Sequence, residues 1–322
     1  MTEPVSIIIP AYNEDVTVEK VVRDVQESIA VEKYHSEIIV VDDGSSDDTS
    51  QIALRCGARV IRSSKNRGYG AALKSGILNS SHEIIVIIDS DGTYPAHSIP
   101  LLIKELKHAD MVVGARTGQD VNIPLIRRPA KWVLRKLAQY ITGEKIPDLN
   151  SGLRVFHRAD ALRYLALLSD KFSFTTSITV AFMSHNYKVE FIPVDYYKRK
   201  GKSKIKAVNF IDFLVLVFRL SMLFNPAKVF VPIALFCFTI GFAKFGVDLF
   251  FALRDAGGIT ISFLANKVIS QSALILWLAG LQILLFGMVV DSIALQFAQS
   301  SFSTTKKYCY PEHFVKPDSE DL

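Results

Sequence analysis

The residues able to do chemistry in this chain are mostly aspartates and arginines, and they fall in groups. Asp89-Ser90-Asp91 places two carboxylates one residue apart. The stretch from Asp42 and Asp43 through Asp47 and Asp48 to Thr49 gathers four more, and Pro10-Ala-Tyr12-Asn-Glu14 ends on another acid. Closely spaced carboxylate oxygens suit a hard divalent cation, Mg²⁺ or Mn²⁺, bridging two phosphates. The cations complementary to phosphate are Arg116, Arg127, Arg128 and Arg154, with Arg199, Lys202 and Lys204 further along. A guanidinium fork matches phosphate oxygens two at a time.

Other chemistries lack their signatures. No Gly-x-x-x-x-Gly-Lys-Ser/Thr, His-Glu-x-x-His or Gly-x-Ser-x-Gly occurs. Gly68-Tyr-Gly70 opens like a dinucleotide fingerprint, but Leu73 stands where the third glycine belongs and no strand immediately precedes it. Cys56, Cys237 and Cys309 lie far apart without metal-binding spacing. That excludes a disulfide scaffold or zinc module and fits a reducing compartment.

These side chains need a scaffold. Val5–Pro10, Glu37–Val41 and Glu83–Ile88 are short, continuous β-branched runs, with helix-like stretches at Val16–Ala30, Thr49–Arg55 and Gly70–Leu78 between them. Continuous apolar strands alternating with helices predict an α/β, Rossmann-like, mostly parallel sheet covered on both faces. Ligands bind such sheets at the C-terminal strand ends. The acidic groups begin where each run stops, and Ser46 to Thr49 is predicted to cap the next helix. Asp-x-Asp recurs by chance in many chains; its place just after a six-residue apolar strand gives it weight.

The 322 residues suit about two units, and a mean hydropathy of +0.25 is high for a soluble enzyme. Met1 to Pro4 leads straight into the first apolar run, so no leader is expected. Lys198, Arg199, Lys200, Lys202, Lys204 and Lys206 then put six charges in nine residues. Ala207 to Asn225 follows with Asn209, Asp212 and Arg219 on one side of a helix and Phe210, Phe213, Leu214, Val217 and Phe224 on the other. This combination predicts a membrane-surface element. Val229–Leu253 would span about 37 Å as a helix at roughly 1.5 Å per residue, and Val268–Val290 carries no charge. Both exceed a hydrocarbon core of about 30 Å. Lys244 and Asp248, four apart, are expected to pair within the first span.

The domain plan is therefore a catalytic unit at 1–206, an interfacial helix at 207–227, a transmembrane hairpin at 228–296 and a tail at 297–322. The basic cluster with Lys228 precedes the hairpin and Lys306 with Lys307 follows it, whereas its loop has only Arg254 and Lys267. The positive charge predicts a catalytic unit and tail on the cytoplasmic face of the inner membrane. The partner expected from this pattern is the bilayer, with no nucleic acid; self-association through the hairpin stays open.

Taken together, Pro10-Ala-Tyr-Asn-Glu14, the Asp42–Thr49 stretch, Asn66-Arg-Gly-Tyr-Gly-Ala-Ala-Leu-Lys-Ser-Gly76 and Asp89-Ser-Asp91 resemble the inverting family 2 glycosyltransferases of GT-A fold. Asp148-Leu-Asn-Ser-Gly-Leu-Arg154, Gly201-Lys-Ser-Lys204 and the hairpin narrow this to polyprenyl-phosphate glycosyltransferases similar to dolichol-phosphate mannose synthase. The resemblance implies a nucleotide-diphosphate sugar donor and a polyprenyl phosphate acceptor as partners, with Pro10, Tyr12, Glu14 and Asp43 lining the base and ribose pocket and Asp42 structural. Lys65, Arg67 and the glycines after them would approach the nucleotide. Asp89, Ser90 and Asp91 would hold the diphosphate with Mg²⁺ or Mn²⁺. Arg116, Arg127, Arg128, Arg199, Lys202, Ser203 and Lys204 would take the acceptor phosphate, with Gly201 letting that loop close. Asp91, Arg116, Asp148 and Arg154 would form the catalytic centre, Asp148 orienting an arginine or the sugar. Relatives often carry a glutamine two residues after the second metal aspartate; here Thr93 stands there, a shorter oxygen ligand.

A phosphate monoester is largely ionised near neutral pH, its second pKa being about 6. Such an acceptor attacks without strong base help, and single displacement predicts inversion at the anomeric carbon. Two alternatives stay open: a transferase acting on a hydroxyl-bearing lipid, with Asp148 as base, and a catalytically silent membrane-bound nucleotide-sugar binder.

Overall fold

The computed structural model describes residues 3–118, 128–171, 173–198, 222, 226–256, 270–304 and 313–314. The chain forms two compact units, 1–217 with 298–322, and 218–297.

The first unit is built on one eight-stranded sheet. β1 (Val5–Ala11) lies at its centre, parallel to β2 (Ser36–Asp42) on one side and β4 (Ile84–Ile87) on the other. β3 (Arg59–Arg62) extends β2 in parallel, and β5 (Met111–Ala115) pairs in parallel with β7 (Val189–Pro193). β6 (Arg154–His157) slots antiparallel between β4 and β5, and β8 (His313–Phe314) closes the β3 edge antiparallel. The order is β7-β5-β6-β4-β1-β2-β3-β8. All seven residues of β1 are buried, as expected of a strand covered on both faces.

Helices supply that cover. α1 (Val18–Val31) turns Val18, Val21, Val22, Val25 and Ile29 inward, the spacing of one helical face. α2 (Thr49–Arg55) begins at the predicted threonine, but its N-cap Asp48 makes no side-chain cap bond. Asp47, one residue earlier, accepts the Thr49 amide instead, at 3.1 Å. α3 (Tyr69–Asn79) lies close on the sheet because Gly76 has no side chain. A Cβ there would sit 2.5 Å from Ile8 Cγ2. α4 (Ile99–Glu105), α5 (Arg128–Thr142), α6 (Arg158–Tyr164) and α7 (Phe174–Ser184) complete this unit.

The second unit contains α8 (Ala227–Ala256) and α9 (Gln271–Thr304), which runs on beyond the unit's end. Ala227–Arg254 and Gln271–Ile293 are long and apolar enough to cross a membrane. Leu235, Phe236 and Phe242 on α8 and Leu285, Phe286 and Met288 on α9 are exposed. Lys244 and Asp248 pair along α8. The predicted interfacial helix lies, but for Met222, Pro226 and Ala227, outside the described residues.

Candidate active site

The parallel strands end at one edge of the sheet, and the loops after β1 and β2 are sewn together there. The Asp43 amide donates to Ala11 O at 2.9 Å. Asn13, held at φ +50°, donates its amide to Ser45 Oγ and accepts the Ser46 amide on Oδ1, both at 2.8 Å. Glu14 gives its amide to Thr49 Oγ1 at 2.9 Å. Asp42 is buried and accepts from the Ser45 amide at 2.8 Å and from the Ser50 hydroxyl, with Arg62 Nε at 3.6 Å. It is structural.

Asp43 does more than end a strand. Its two oxygens accept the amides of Arg67 at 2.9 Å and Gly68 at 2.7 Å, fixing the segment before α3. Burial pushes its carboxyl up, and those amides oppose the rise. Tyr12 and Glu14 are half-buried beside it and Lys65 is exposed, with Arg67 half-buried. Two residues of the implied pocket turn out to be scaffold. Pro10 is buried within β1, and the buried Ser90 donates its hydroxyl to Pro10 O at 2.8 Å. The glycines also have a different neighbour from the one expected. Gly68, at φ +110°, would place a Cβ 2.6 Å from Asp170 O, and Gly70 would drive one into Ser169 O. The chain's own backbone, which also takes the Ala71 amide on Asp170 O, fills the approach assigned to the nucleotide.

Asp89 and Asp91 follow β4. Tyr69, the first residue of α3, donates its hydroxyl to Asp89 Oδ1 at 2.7 Å. Gly152 lies against the other oxygen; a Cβ there would collide with Asp89 Oδ2. Asp91 is 9% exposed, and its Oδ1 accepts both the Thr93 amide at 3.1 Å and the Thr93 hydroxyl at 2.6 Å. Thr93 is wholly enclosed, so its oxygen orients Asp91 rather than standing as a separate ligand. Among the described residues no group of three or more His, Cys, Asp or Glu side chains gathers as a metal cage.

Arg116 follows β5. Its Nε and Nη2 grip Asp148 Oδ2 and Oδ1 at 2.7 and 2.8 Å, and its amide adds a third bond at 3.0 Å. The two side chains are 9% and 12% exposed. Burial favours a neutral Asp148, but the bonds and charge of Arg116 together outweigh it and hold the carboxyl below its ordinary value. The Arg116 guanidinium lies 5.1 Å from the centre of the Tyr196 ring, and Tyr196 meets Tyr94 edge-on at 5.2 Å. The Tyr94 hydroxyl in turn accepts the Gly152 amide at 2.7 Å.

Two of the implied catalytic roles change here. Arg154 is 0% exposed. It donates to Ser151 O from Nε and Nη2, and to Thr175 O and Thr179 Oγ1 from Nη1. The first residue of a strand between β4 and β5 points into the interior, so Arg154 holds the turn at Ser151 to α7. Asp148 is occupied by Arg116, which makes it a positioning residue. Arg128 opens α5; Arg127, Arg199, Lys202, Ser203 and Lys204 lie outside the described residues. Sequence reasoning missed Tyr69, Tyr94 and Tyr196. Tyr69 and Tyr94 sit inside or beside motifs, a signal that was available; Tyr196 does not.

The sequence and the fold also match known proteins. Residues 6–165 match glycosyl transferase family 2 and residues 225–295 match the GtrB C-terminal hairpin. Glycosyltransferase AglJ of Haloferax volcanii is 27% identical, the alignment covering 90% of this chain and 94% of that one. An undecaprenyl-phosphate mannosyltransferase of Micrococcus luteus is also 27% identical, over 62% of this chain and 86% of its own. Glucosyl-3-phosphoglycerate synthase from Mycobacterium tuberculosis, solved with Mn²⁺, UDP and phosphoglyceric acid, superposes with a TM-score of 0.54. Its identity is 20%, over 70% of this chain and 78% of that one, a likeness of fold. The strand order, the acid-bearing strand ends and the two apolar helices thus assemble a GT-A fold with a membrane hairpin, and the chain belongs to glycosyl transferase family 2.

Proposed function

We propose that this protein transfers a sugar from a nucleotide-diphosphate donor to a polyprenyl phosphate, with inversion, at the cytoplasmic face of a membrane. The observation that carries the reading is the engagement of Asp148 by Arg116 on both oxygens. The Asp148-to-Arg154 motif thereby offers a held cation and no available base, which suits an acceptor that arrives already ionised.

The donor half is acidic. Asp89 and Asp91 offer hard carboxylate oxygens oriented by Tyr69 and Thr93, a donor set that fits Mg²⁺ or Mn²⁺ with diphosphate and water completing the shell. When bound, that ion neutralises charge on the departing nucleoside diphosphate. The solved relative with UDP and Mn²⁺ supports this choice. Asp43 fixes the loop carrying Arg67, and Tyr12 and Glu14 rim the space for base and ribose.

The acceptor half is cationic. Arg116 keeps Nη1 without a protein partner among the described residues, available to a phosphate oxygen. Arg127, Arg128, Arg199, Lys202, Ser203 and Lys204 are the further contacts we assign from the sequence. The acceptor oxygen attacks the anomeric carbon as the bond to the diphosphate breaks, and no proton moves in that step. An α-linked donor would give a β-linked product.

The positive flanks of the hairpin support a cytoplasmic side for the catalytic unit. The pairing of β8 with β3 supports a common side for tail and sheet, as two crossings require. The reading is tested by incubating the full chain in nanodiscs with undecaprenyl phosphate, Mn²⁺ and a panel of UDP- and GDP-sugars. Sugar should appear on the lipid phosphate, and Asp91→Ala should abolish transfer while membrane insertion persists. Transfer to diacylglycerol but not to the lipid phosphate would replace this reading, as would undiminished turnover by Asp91→Ala without metal.

A further inference from the structure

Tyr196 lies in none of the motifs, yet it touches both halves of the site. On the donor side, Thr93 gives its hydroxyl to Asp91 Oδ1 at 2.6 Å. The Thr93 carbonyl accepts the Tyr197 amide at 2.9 Å, and the Tyr196 hydroxyl meets that of Thr93. On the acceptor side, the Arg116 guanidinium gripped by Asp148 lies over the Tyr196 ring at 5.1 Å. Tyr94 packs edge-on against the same ring and takes the Gly152 amide, beside Asp89. A single residue following β7 therefore touches both the threonine that holds the carboxylate assigned to the donor and the guanidinium assigned to the acceptor. Two residues further on, Lys198 begins the basic run.

We propose that Tyr196 is a positioning residue that couples the two substrates, so that filling the donor site at Asp91 strengthens binding of the lipid phosphate at Arg116. The inference rests on the transferase reading above and adds an order of preference to it. A shift of Asp91 on loading moves Thr93, and with it the ring beneath Arg116. Linkage makes the effect reciprocal: the lipid phosphate must tighten the donor by the same factor. A benefit of this arrangement is that an empty donor site holds the lipid phosphate less firmly.

The test uses the full chain in nanodiscs, and measures the dissociation constant of undecaprenyl phosphate with and without saturating Mn²⁺ and UDP, or Mn²⁺ and GDP. We expect tightening of about fivefold or more, at the lower end of measured couplings. Tyr196→Phe keeps the ring and removes the hydroxyl. It should bind the lipid phosphate alone within about twofold of the parent and lose the tightening, as a cut in coupling without a cut in contact requires. Tyr196→Leu should also weaken the lipid phosphate itself. Thr93→Val cuts the link from the other side, and Thr93→Ser should restore it.

Binding of both ligands without tightening in the parent would overturn the coupling and leave the transferase reading standing. Full tightening in both Tyr196→Phe and Thr93→Val would do the same. Failure of the parent to bind undecaprenyl phosphate, or to bind either nucleotide with Mn²⁺, would instead defeat the transferase reading.

Discussion

Replacing Asp148 by Asn separates a base from a clamp. The carboxylate accepts three bonds from Arg116 and a fourth from the Asn150 amide at 3.2 Å. An amide offers one acceptor oxygen and turns an NH₂ toward the guanidinium. Breaking a buried ion pair from one side costs about 3–5 kcal/mol. With side chains 9% and 12% exposed and one acceptor oxygen kept, the lower figure of about 3 kcal/mol is the better expectation. For a unit of roughly 200 residues that is a fall of about 6–12 °C in melting temperature, at about 2–4 °C per kcal/mol. The kinetic signature is sharper. A clamp that lets Arg116 drift should raise KM for the lipid phosphate about tenfold, corresponding to about 1.4 kcal/mol, with KM for the donor unchanged. Turnover at saturating acceptor should survive in part and keep its pH profile. The assay is radiolabelled sugar transfer to undecaprenyl phosphate across pH 5–9, beside a melt followed by circular dichroism. Abolished kcat at every pH with an unchanged acceptor KM would refute the clamp and make Asp148 the base.

Three further perturbations bear on the same geometry. Gly152→Ala forces a Cβ against Asp89 Oδ2; the carboxylate must move, and turnover should fall about 100-fold, the usual cost of about 1 Å of misplacement. Activity within about threefold of the parent would contradict that contact. Tyr69→Phe removes the 2.7 Å bond to Asp89, and kcat/KM should fall roughly five- to tenfold for about 1–1.4 kcal/mol; an unaltered kcat/KM would show that Asp89 is oriented otherwise. Acid should destabilise the catalytic unit through Asp148, whose folded value lies below the ordinary carboxylate range because Arg116 outweighs burial. Its contribution is complete above the unfolded value of about 4 and is lost as pH falls through the folded value. The melting temperature of the parent should therefore drop more steeply below about pH 4 than that of Asp148→Asn, and equal slopes would count against the pair.

Three of the eight strands are legible from local pattern. The runs at Val5, Glu37 and Glu83 form β1, β2 and β4 because continuous β-branched residues buried on both faces leave few alternatives. β6 is not legible. Its four residues, Arg-Val-Phe-His, are placed by pairing with β4 and β5, whose partners lie about 70 and 40 positions earlier. That insertion is also why Arg154 misleads: beside Ser-Gly-Leu it looks like a phosphate ligand, yet as the first residue of a central strand it is interior. The glycines before and within α3 are recognisable as sites of close approach. Sequence spacing cannot show that Ser169 and Asp170, a hundred residues on, are what approaches them. Thr93 raises a question about metal coordination, and its answer, a bond to Asp91, depends on a rotamer no pattern specifies.

The acid–base logic of the site is what limits the acceptor. A catalytic base works best with an affinity for protons near the working pH and an open lone pair aimed at the acceptor. Asp148 has been moved the other way, below an ordinary carboxylate, by a guanidinium that occupies both oxygens. Asp42 is buried on two hydroxyl-bearing residues and an arginine, and Asp43 on two amides. Asp89 and Asp91 accept the hydroxyls of Tyr69 and Thr93. Each of these carboxylates is thus bonded to a neighbour, and Asp148, the one the alternative reading would use as a base, is held from that role by Arg116 on both oxygens. A lipid hydroxyl would need that service; a lipid phosphate, already an anion, needs charge held opposite it. The fold supplies the second at Arg116, with a carboxylate to aim it and an aromatic ring against it.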